Sequence, residues 1–299
     1  MSFKTILHPT DFSEQSMVAF SHALKLAIEE KARFIIMYVQ EGESTILEWE
    51  KFPKVRDTLN KWGMVDADVK RKEIYEKLGV DIQKVIGKGE NIKDSVAGIV
   101  HEEKVDLIVL STHGREGFPG WFNSSISESI ARQSLVPTLF IPYGSRPFVN
   151  PENGQLNLST ILIPVDHKPN PQRAVEFGIN MGNIFGEGKS QINIMHVMDK
   201  HLNPEDDEMP EIKIPETEDC IVRAEVKNSS IVDEISRVAD EIDADLIVIP
   251  TEGRNGFLDA VFGSTSEQVL RHSDCPTLSI PVSYGRFIPR FDENLNNNK

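Results

Sequence analysis

Long apolar runs are missing from this 299-residue chain. None approaches the roughly 20 consecutive apolar residues that a helical membrane span needs. The start, MSFKTILHPTDFS, has no basic region ahead of a long apolar stretch, so no secretory leader is read and a cytoplasmic protein is the expectation. Cysteine is nearly absent, with Cys220 and Cys275 alone. That excludes a secreted disulfide scaffold, and the two lack the spacing of a zinc or redox motif. They read as small buried or half-buried thiols. Positive charge is also short: 32 Lys and Arg stand against 47 Asp and Glu, for a formal net charge of −15. Such a balance repels nucleic acid and anionic membrane, while leaving room for a local positive site.

Several chemical signatures are missing as well. There is no G-x-S-x-G elbow and no assembled Ser/His/Asp set, so nucleophilic catalysis has no support. The stretch GREGFPG lacks the Gly-Lys-Ser/Thr ending of a phosphate-binding P-loop, and it follows the fourth strand, not the first, so it is not a dinucleotide fingerprint. His8, His113, Thr10 and Asp11 could meet as metal ligands, but no ligand pair has a close, regular spacing. They are read as satisfied or solvated groups, and no metal site is assigned.

What the sequence does have is a repeat. The stretch from Ser111, STHGREGFPGWFNSS, returns from Pro250 as PTEGRNGFLDAVFGS. Residues 111–142 align without gaps on 250–281, with 15 of 32 positions identical at an offset of 139. TILHPTDFSEQSMVAF from Thr5 aligns on TILIPVDHKPNPQRAV from Thr160 at an offset of 155. A longer middle insertion in the first half accounts for the difference. Shared landmarks at both ends of each half mean a tandem duplication. The Pro-, Gly- and Asn-rich YGSRPFVNPENGQLN between them reads as a linker. The expected organisation is a first domain over 1–143, a linker over 144–157, a second domain over 158–284 and a disordered tail over 285–299.

Within each half, short apolar runs alternate with amphipathic stretches. Strands are expected at 5–9, 34–39, 81–86, 106–111 and 138–141, and again at 160–164, 192–196, 221–227, 245–249 and 277–280. Helices are expected at 13–28, 54–78 (broken), 92–103 and 125–133, then 171–184, 230–242 and 264–272. This alternation implies an α/β protein with parallel sheets and helices on both faces. The near-continuous Val/Ile/Leu of LIVL and LIVI fits strands buried on both sides. The insertion over 41–80 suits two short helices packed on the sheet. Its Trp49 and Trp62 offer either a partner surface or anchors for this cap.

Three features together resemble the universal stress protein family in its tandem form, over nearly the whole chain. The first strand ends in ILHPTD and ILIPVD, the fourth runs into THGR-x-G and TEGR-x-G, and each half closes with R-x-S-x-x-PTL-x-IP. The resemblance implies two tandem doubly wound five-stranded parallel sheets, order 3-2-1-4-5. Ligands in such sheets sit at the carboxyl ends of the strands, where the order reverses between strands 1 and 4. It also implies a fifth-strand pairing that makes the two halves an internal pseudo-dimer. Leu139 should then lie near Leu278. Further homodimerisation stays open.

ATP-binding members of the family carry Gly, two residues, Gly, nine residues, Gly, then Ser or Thr. Small residues let backbone approach phosphates, and the last pair opens a helix whose free N–H groups hold anions. The first half reads Ser111, Gly114, Ser124, Ser125; the second reads Pro250, Gly253, Gly263, Ser264. The resemblance places Asp11 and Asp166 near the adenine and ribose, and Val39 and Val197, after strand 2, at the adenine-side backbone contact. Arg115 and Arg254 follow the loop glycine, where they face a phosphate or solvent. ATP or AMP with Mg²⁺ is the implied ligand, with the second half favoured. The family role is a nucleotide-responsive stress module with negligible turnover, a slow ATPase remaining open. Two alternatives stand beside it: a nucleotide-free scaffold, which the substituted glycines favour, and a carrier of lipid or metal in an altered pocket.

Overall fold

The computed structural model describes residues 3–40, 49–88, 91–112, 124–186, 190–198, 208–214, 220–226, 230–252, 268–270 and 273–283. The first half runs β1 (Thr5–Pro9), α1 (Glu14–Glu30), β2 (Arg33–Gln40), α2 (Val55–Lys61), α3 (Arg71–Leu78), β3 (Asp81–Lys88), α4 (Ile92–Glu102), β4 (Leu107–Thr112), α5 (Ser124–Ser134) and β5 (Thr138–Pro142). The second runs β6 (Thr160–Val165), α6 (Gln172–Phe185), β7 (Gln191–Met198), β8 (Cys220–Val226), α7 (Ile231–Glu241), β9 (Leu246–Thr251) and β10 (Thr277–Pro281). One turn of 3-10 helix, Trp49–Lys51, precedes α2. The helix expected over 264–272 falls mostly outside the described residues, as does the tail over 285–299.

Each half has the order 3-2-1-4-5, with parallel pairing throughout. The central strands β1, β4, β5, β9 and β10 are buried along their whole length, as expected of strands covered on both faces. The two five-stranded sheets join into one of ten strands, because β5 and β10 pair antiparallel. Leu139 lies opposite Leu278, Thr138 opposite Ser279 and Phe140 opposite Thr277. Counterparts in the two halves are 139 positions apart here, so Leu139 faces its own counterpart. A pseudo-two-fold axis therefore passes through the Leu139–Leu278 pair.

The duplicated residues do the same structural jobs in each half. The Asp that opens DLIVL, Asp106, accepts from the N–H groups of Lys4 and Thr5 at 2.9 and 3.1 Å. Its counterpart Asp245 accepts from Ser159 and Thr160 at 2.8 and 3.0 Å. Both carboxylates thus pin the start of the first strand to the fourth and are not site residues. The 144–157 segment is packed, not loose. Phe148 and Val149 are buried, and Val149 N–H donates to His22 Nε2 at 3.3 Å. Trp62 is buried and donates from Nε1 to Pro151 O at 3.0 Å, so it anchors the cap to this segment. Among the described residues, no helix is long and apolar enough to cross a membrane.

Candidate functional site

In a doubly wound sheet the crevice lies beyond the carboxyl ends of the strands, between the first and fourth. In the first half that places the turn after β1 beside the end of β4. His8 starts a chain of hydrogen bonds that shapes this turn. A carbonyl can only accept, so His8 Nδ1–H donates to Val109 O at 3.0 Å. The other ring nitrogen, Nε2, then accepts from Ser16 Oγ at 3.2 Å, and Ser16 Oγ accepts from Thr10 Oγ1 at 2.9 Å. Thr10 Oγ1 in turn accepts from Phe12 N–H at 3.1 Å. Burial pushes the His8 imidazole down to about 4, against the opposing pulls of the Val109 carbonyl and the Asp11 charge. Both its nitrogens are engaged by protein groups in this arrangement. His113, the other member of the metal set weighed from sequence, lies outside the described residues.

Asp11 is half-buried and committed to the same turn: its Oδ1 accepts from Ser13 N–H at 3.0 Å and Ser13 Oγ–H at 2.6 Å. Ser13 caps α1, accepting from Ser16 N–H at 3.2 Å. The mouth beside β2 is filled by aromatic rings. Phe12, at a left-handed φ of 65°, stacks on Tyr38 with centroids 4.4 Å apart. Phe52 from the cap meets Phe12 edge-on at 5.3 Å, Trp49 stacks on Phe52 at 5.4 Å, and Lys84 Nζ sits 5.5 Å above the Phe52 ring. Partial burial lowers the Lys84 pKa.

The second half is built differently at the same positions. Ile163 replaces His8, Val165 replaces Thr10 and Pro171 replaces Ser16, so the polar chain has no counterpart. Asp166 is exposed; its Oδ1 accepts from His167 N–H at 2.7 Å. His167 and His196 stand where Phe12 and Tyr38 stand in the first half, with ring centroids 5.7 Å apart and planes at 80°. His167 Nε2–H donates to Glu208 O at 3.2 Å. The segment 208–214 is held against the start of α6 by Gln172, whose Nε2 donates to Lys213 O at 3.0 Å while Oε1 accepts from Lys213 N–H at 2.8 Å.

The expected site residues divide as follows. Asp11 and Asp166 both stand just past their first strands, at the crevice. Val39 and Val197, expected after strand 2, are instead its penultimate residues with buried side chains, because β2 and β7 run one residue past them. Ser124 and Ser125 open α5, which puts backbone N–H groups at a helix start. Gly114, Arg115, Gly253, Arg254, Gly263 and Ser264 lie outside the described residues. The aromatic cluster and the histidine pair were missed. The signal was in the repeat: the offset of 155 lays Phe12 on His167, and the strand-2 match of MYV on MHV lays Tyr38 on His196.

A cleft of about 380 Å³ lies elsewhere, between α1, the 156–159 segment and the end of α6. Lys25 and Glu29, its charged lining groups, pair with each other at 2.6 Å. It adjoins the amino end of β6, so it is not the strand-end crevice. Among the described residues, no group of three or more His, Cys, Asp or Glu is arranged to hold a metal ion.

The chain is a tandem pair of doubly wound α/β halves, each with an aspartate-bearing turn at its order reversal. The profile of the universal stress protein family matches residues 2–142 and 157–281, and the chain belongs to that family. Two universal stress proteins of Methanocaldococcus jannaschii are similar to it. One is 28% identical over 144 residues, covering 46% of this chain and 82% of that protein. The other is 27% identical over 161 residues, covering 46% of this chain and 94% of that protein. Among solved structures, a universal stress protein from Archaeoglobus fulgidus superimposes with a TM-score of 0.57 at 19% identity, covering 93% of this chain and 98% of that one. That likeness extends over both halves and supports the fold.

Proposed function

We propose that the chain is a cytoplasmic, nucleotide-responsive stress module with negligible turnover, holding ATP or AMP with Mg²⁺ in its second-half crevice. The observation that carries this reading is the contrast between the two aspartates. Asp11 is half-buried, its Oδ1 takes two bonds from Ser13, and aromatic rings line the mouth beside it, whereas Asp166 is exposed and takes one. The exposed Asp166 carboxylate keeps capacity for a ribose hydroxyl or a hydrated Mg²⁺. The second half also retains the Gly-Ser pair of the ATP-binding pattern in its sequence, at Gly263 and Ser264, where the first has Ser124 and Ser125. Arg254 supplies a cation for phosphate in an otherwise acidic chain. The first half then serves mainly as the structural partner across the β5–β10 seam.

Titration calorimetry of the full chain with MgATP and with AMP tests this. One nucleotide per chain is expected, with Gly263→Trp weakening it at least about tenfold by blocking backbone approach to phosphate. Ser124→Trp should leave the affinity unchanged. No nucleotide binding in the wild type would move the assignment to a nucleotide-free scaffold. Binding lost in Ser124→Trp but kept in Gly263→Trp would move the site to the first half.

A further inference from the structure

We propose that His167 and His196 form a binding site for a divalent transition-metal ion that favours imidazole, namely zinc, nickel or copper(II). In the neutral ring, His196 Nδ1–H donates to Val165 O at 3.0 Å, which leaves the lone pair on Nε2. That nitrogen is buried, in a side chain only 2% exposed, and has no hydrogen-bond partner among the described residues. A buried acceptor left unpaired costs about 1–3 kcal/mol. An imidazole oriented by a backbone carbonyl on one nitrogen, with the other presented bare, is how protein ligands are set up for metals.

The partner ring is at the right distance. Two imidazoles sharing one tetrahedral ion through nitrogens about 2.1 Å away place their ring centroids about 5.3 Å apart. The observed separation is 5.7 Å. The ion replaces the 3.2 Å bond from His167 to Glu208 O as the partner of the His167 nitrogen. Among the described residues only these two imidazoles meet, so water completes the shell and the affinity is modest, in the micromolar range. Packing does not require histidines here, because Phe12 and Tyr38 fill the same two positions in the first half. The site also stands apart from the nucleotide reading. His196 shares the α6 face of β7 with Ile192, which lies against Gly182 of that helix, while the Val197 side chain points to the opposite face.

The test is calorimetric titration of the untagged full chain with zinc chloride in a non-chelating buffer near neutral pH. One micromolar site per chain is expected. His167→Phe and His196→Tyr copy the first half's own residues, and each should weaken binding at least about tenfold. His101→Asn, on the exposed face of α4, should leave it unchanged. A measurement without a variant is the proton spectrum of the wild type loaded with cobalt(II). It should show paramagnetically shifted ring resonances from two histidines, one of them the slowly exchanging Nδ1–H that Val165 O holds. Absence of zinc binding, variants that bind as tightly as the wild type, or a cobalt spectrum without shifted histidine signals would each overturn the assignment.

Discussion

Acid should unfold this protein through two histidines that no ligand touches. His8 and His22 are fully buried, and burial pushes each imidazole down to about 4, their carbonyl partners Val109 and Val18 pulling the other way and losing. In the unfolded chain the same groups bind protons near pH 6.5. The folded state therefore holds fewer protons between those values. Its stability is complete above about pH 6.5 and falls as the pH drops toward 4. The gap is worth about 3.4 kcal/mol per histidine at its limit, and about 2 kcal/mol each at pH 5, so about 4 kcal/mol for the pair. That is a large share of the 5–15 kcal/mol typical of a folded protein. Urea unfolding followed by circular dichroism at about pH 7.5 and pH 5 measures the loss, to which carboxylates also contribute. The variant His8→Ile, which copies Ile163 of the second half, isolates one share: its loss between those pH values should be smaller than the wild type's by about 2 kcal/mol. A variant whose loss equals the wild type's would refute the reasoning. So would a ring-proton resonance of either histidine titrating near pH 6.5 in the folded protein.

Three further outcomes are expected. Asn193 is fully buried in β7, with neither side-chain polar atom hydrogen-bonded among the described residues, and Ile35 holds its place in β2, each opposite a leucine of the first strand. Asn193→Ile should raise the unfolding free energy by about 1–3 kcal/mol, read from the urea midpoint; a destabilised variant would show that the amide has a partner in the folded protein. Gly154 has φ +68°, and an added Cβ would lie 2.5 Å from the Trp62 ring, so Gly154→Ala should cost about 2–4 kcal/mol and release the 144–157 segment to limited proteolysis. In a background with Cys220 and Cys275 changed to serine, Leu139→Cys with Leu278→Cys should close an intramolecular disulfide on oxidation, because directly opposed antiparallel residues lie within bridging distance. Mass spectrometry showing only intermolecular products would contradict the seam.

The fold was legible because its signals are local and repeated. Short β-branched-rich runs such as LIVL and LIVI, set between amphipathic stretches, fit strands covered on both faces, and the Ser13 and Ser230 caps mark helix starts that the structure places at Glu14 and Ile231. The seam was legible only through the family resemblance together with the duplication, since nothing in PTLFIP alone names PTLSIP as its neighbour. The site was less so. Asp11 and Asp166 read alike in sequence, and what separates them is a serine two positions on, present in one half and replaced by Lys168 in the other. Phe52 could not be placed over Phe12 from sequence, because the two are forty residues apart in the chain and the contact depends on how the cap folds back. His196 reads as one more residue of a buried strand until the carbonyl that fixes its tautomer and the ring facing it are known.

The antiparallel seam has a consequence for how the two halves could diverge. Strands in one half run opposite to those in the other, so their carboxyl ends, and with them the two crevices, lie on opposite edges of the ten-stranded sheet. Among the described residues, the turns after β1 and β6 that border the two crevices thus lie on opposite edges of the sheet. Filling one with Phe12, Tyr38 and Phe52 therefore leaves the geometry of the other untouched. What the halves do share is the β5–β10 pairing and the packed 144–157 segment, whose Arg146 donates to Asp243 O at 2.8 Å while Phe148 packs on His22. Selection on that shared framework is selection for strand edges and buried rings. Selection on each crevice acts on a handful of residues after β1 and β6. Duplication with a rigid antiparallel joint thus permits one crevice to close on its own side chains and the other to keep an exposed carboxylate and a histidine pair, without any compensating change across the seam.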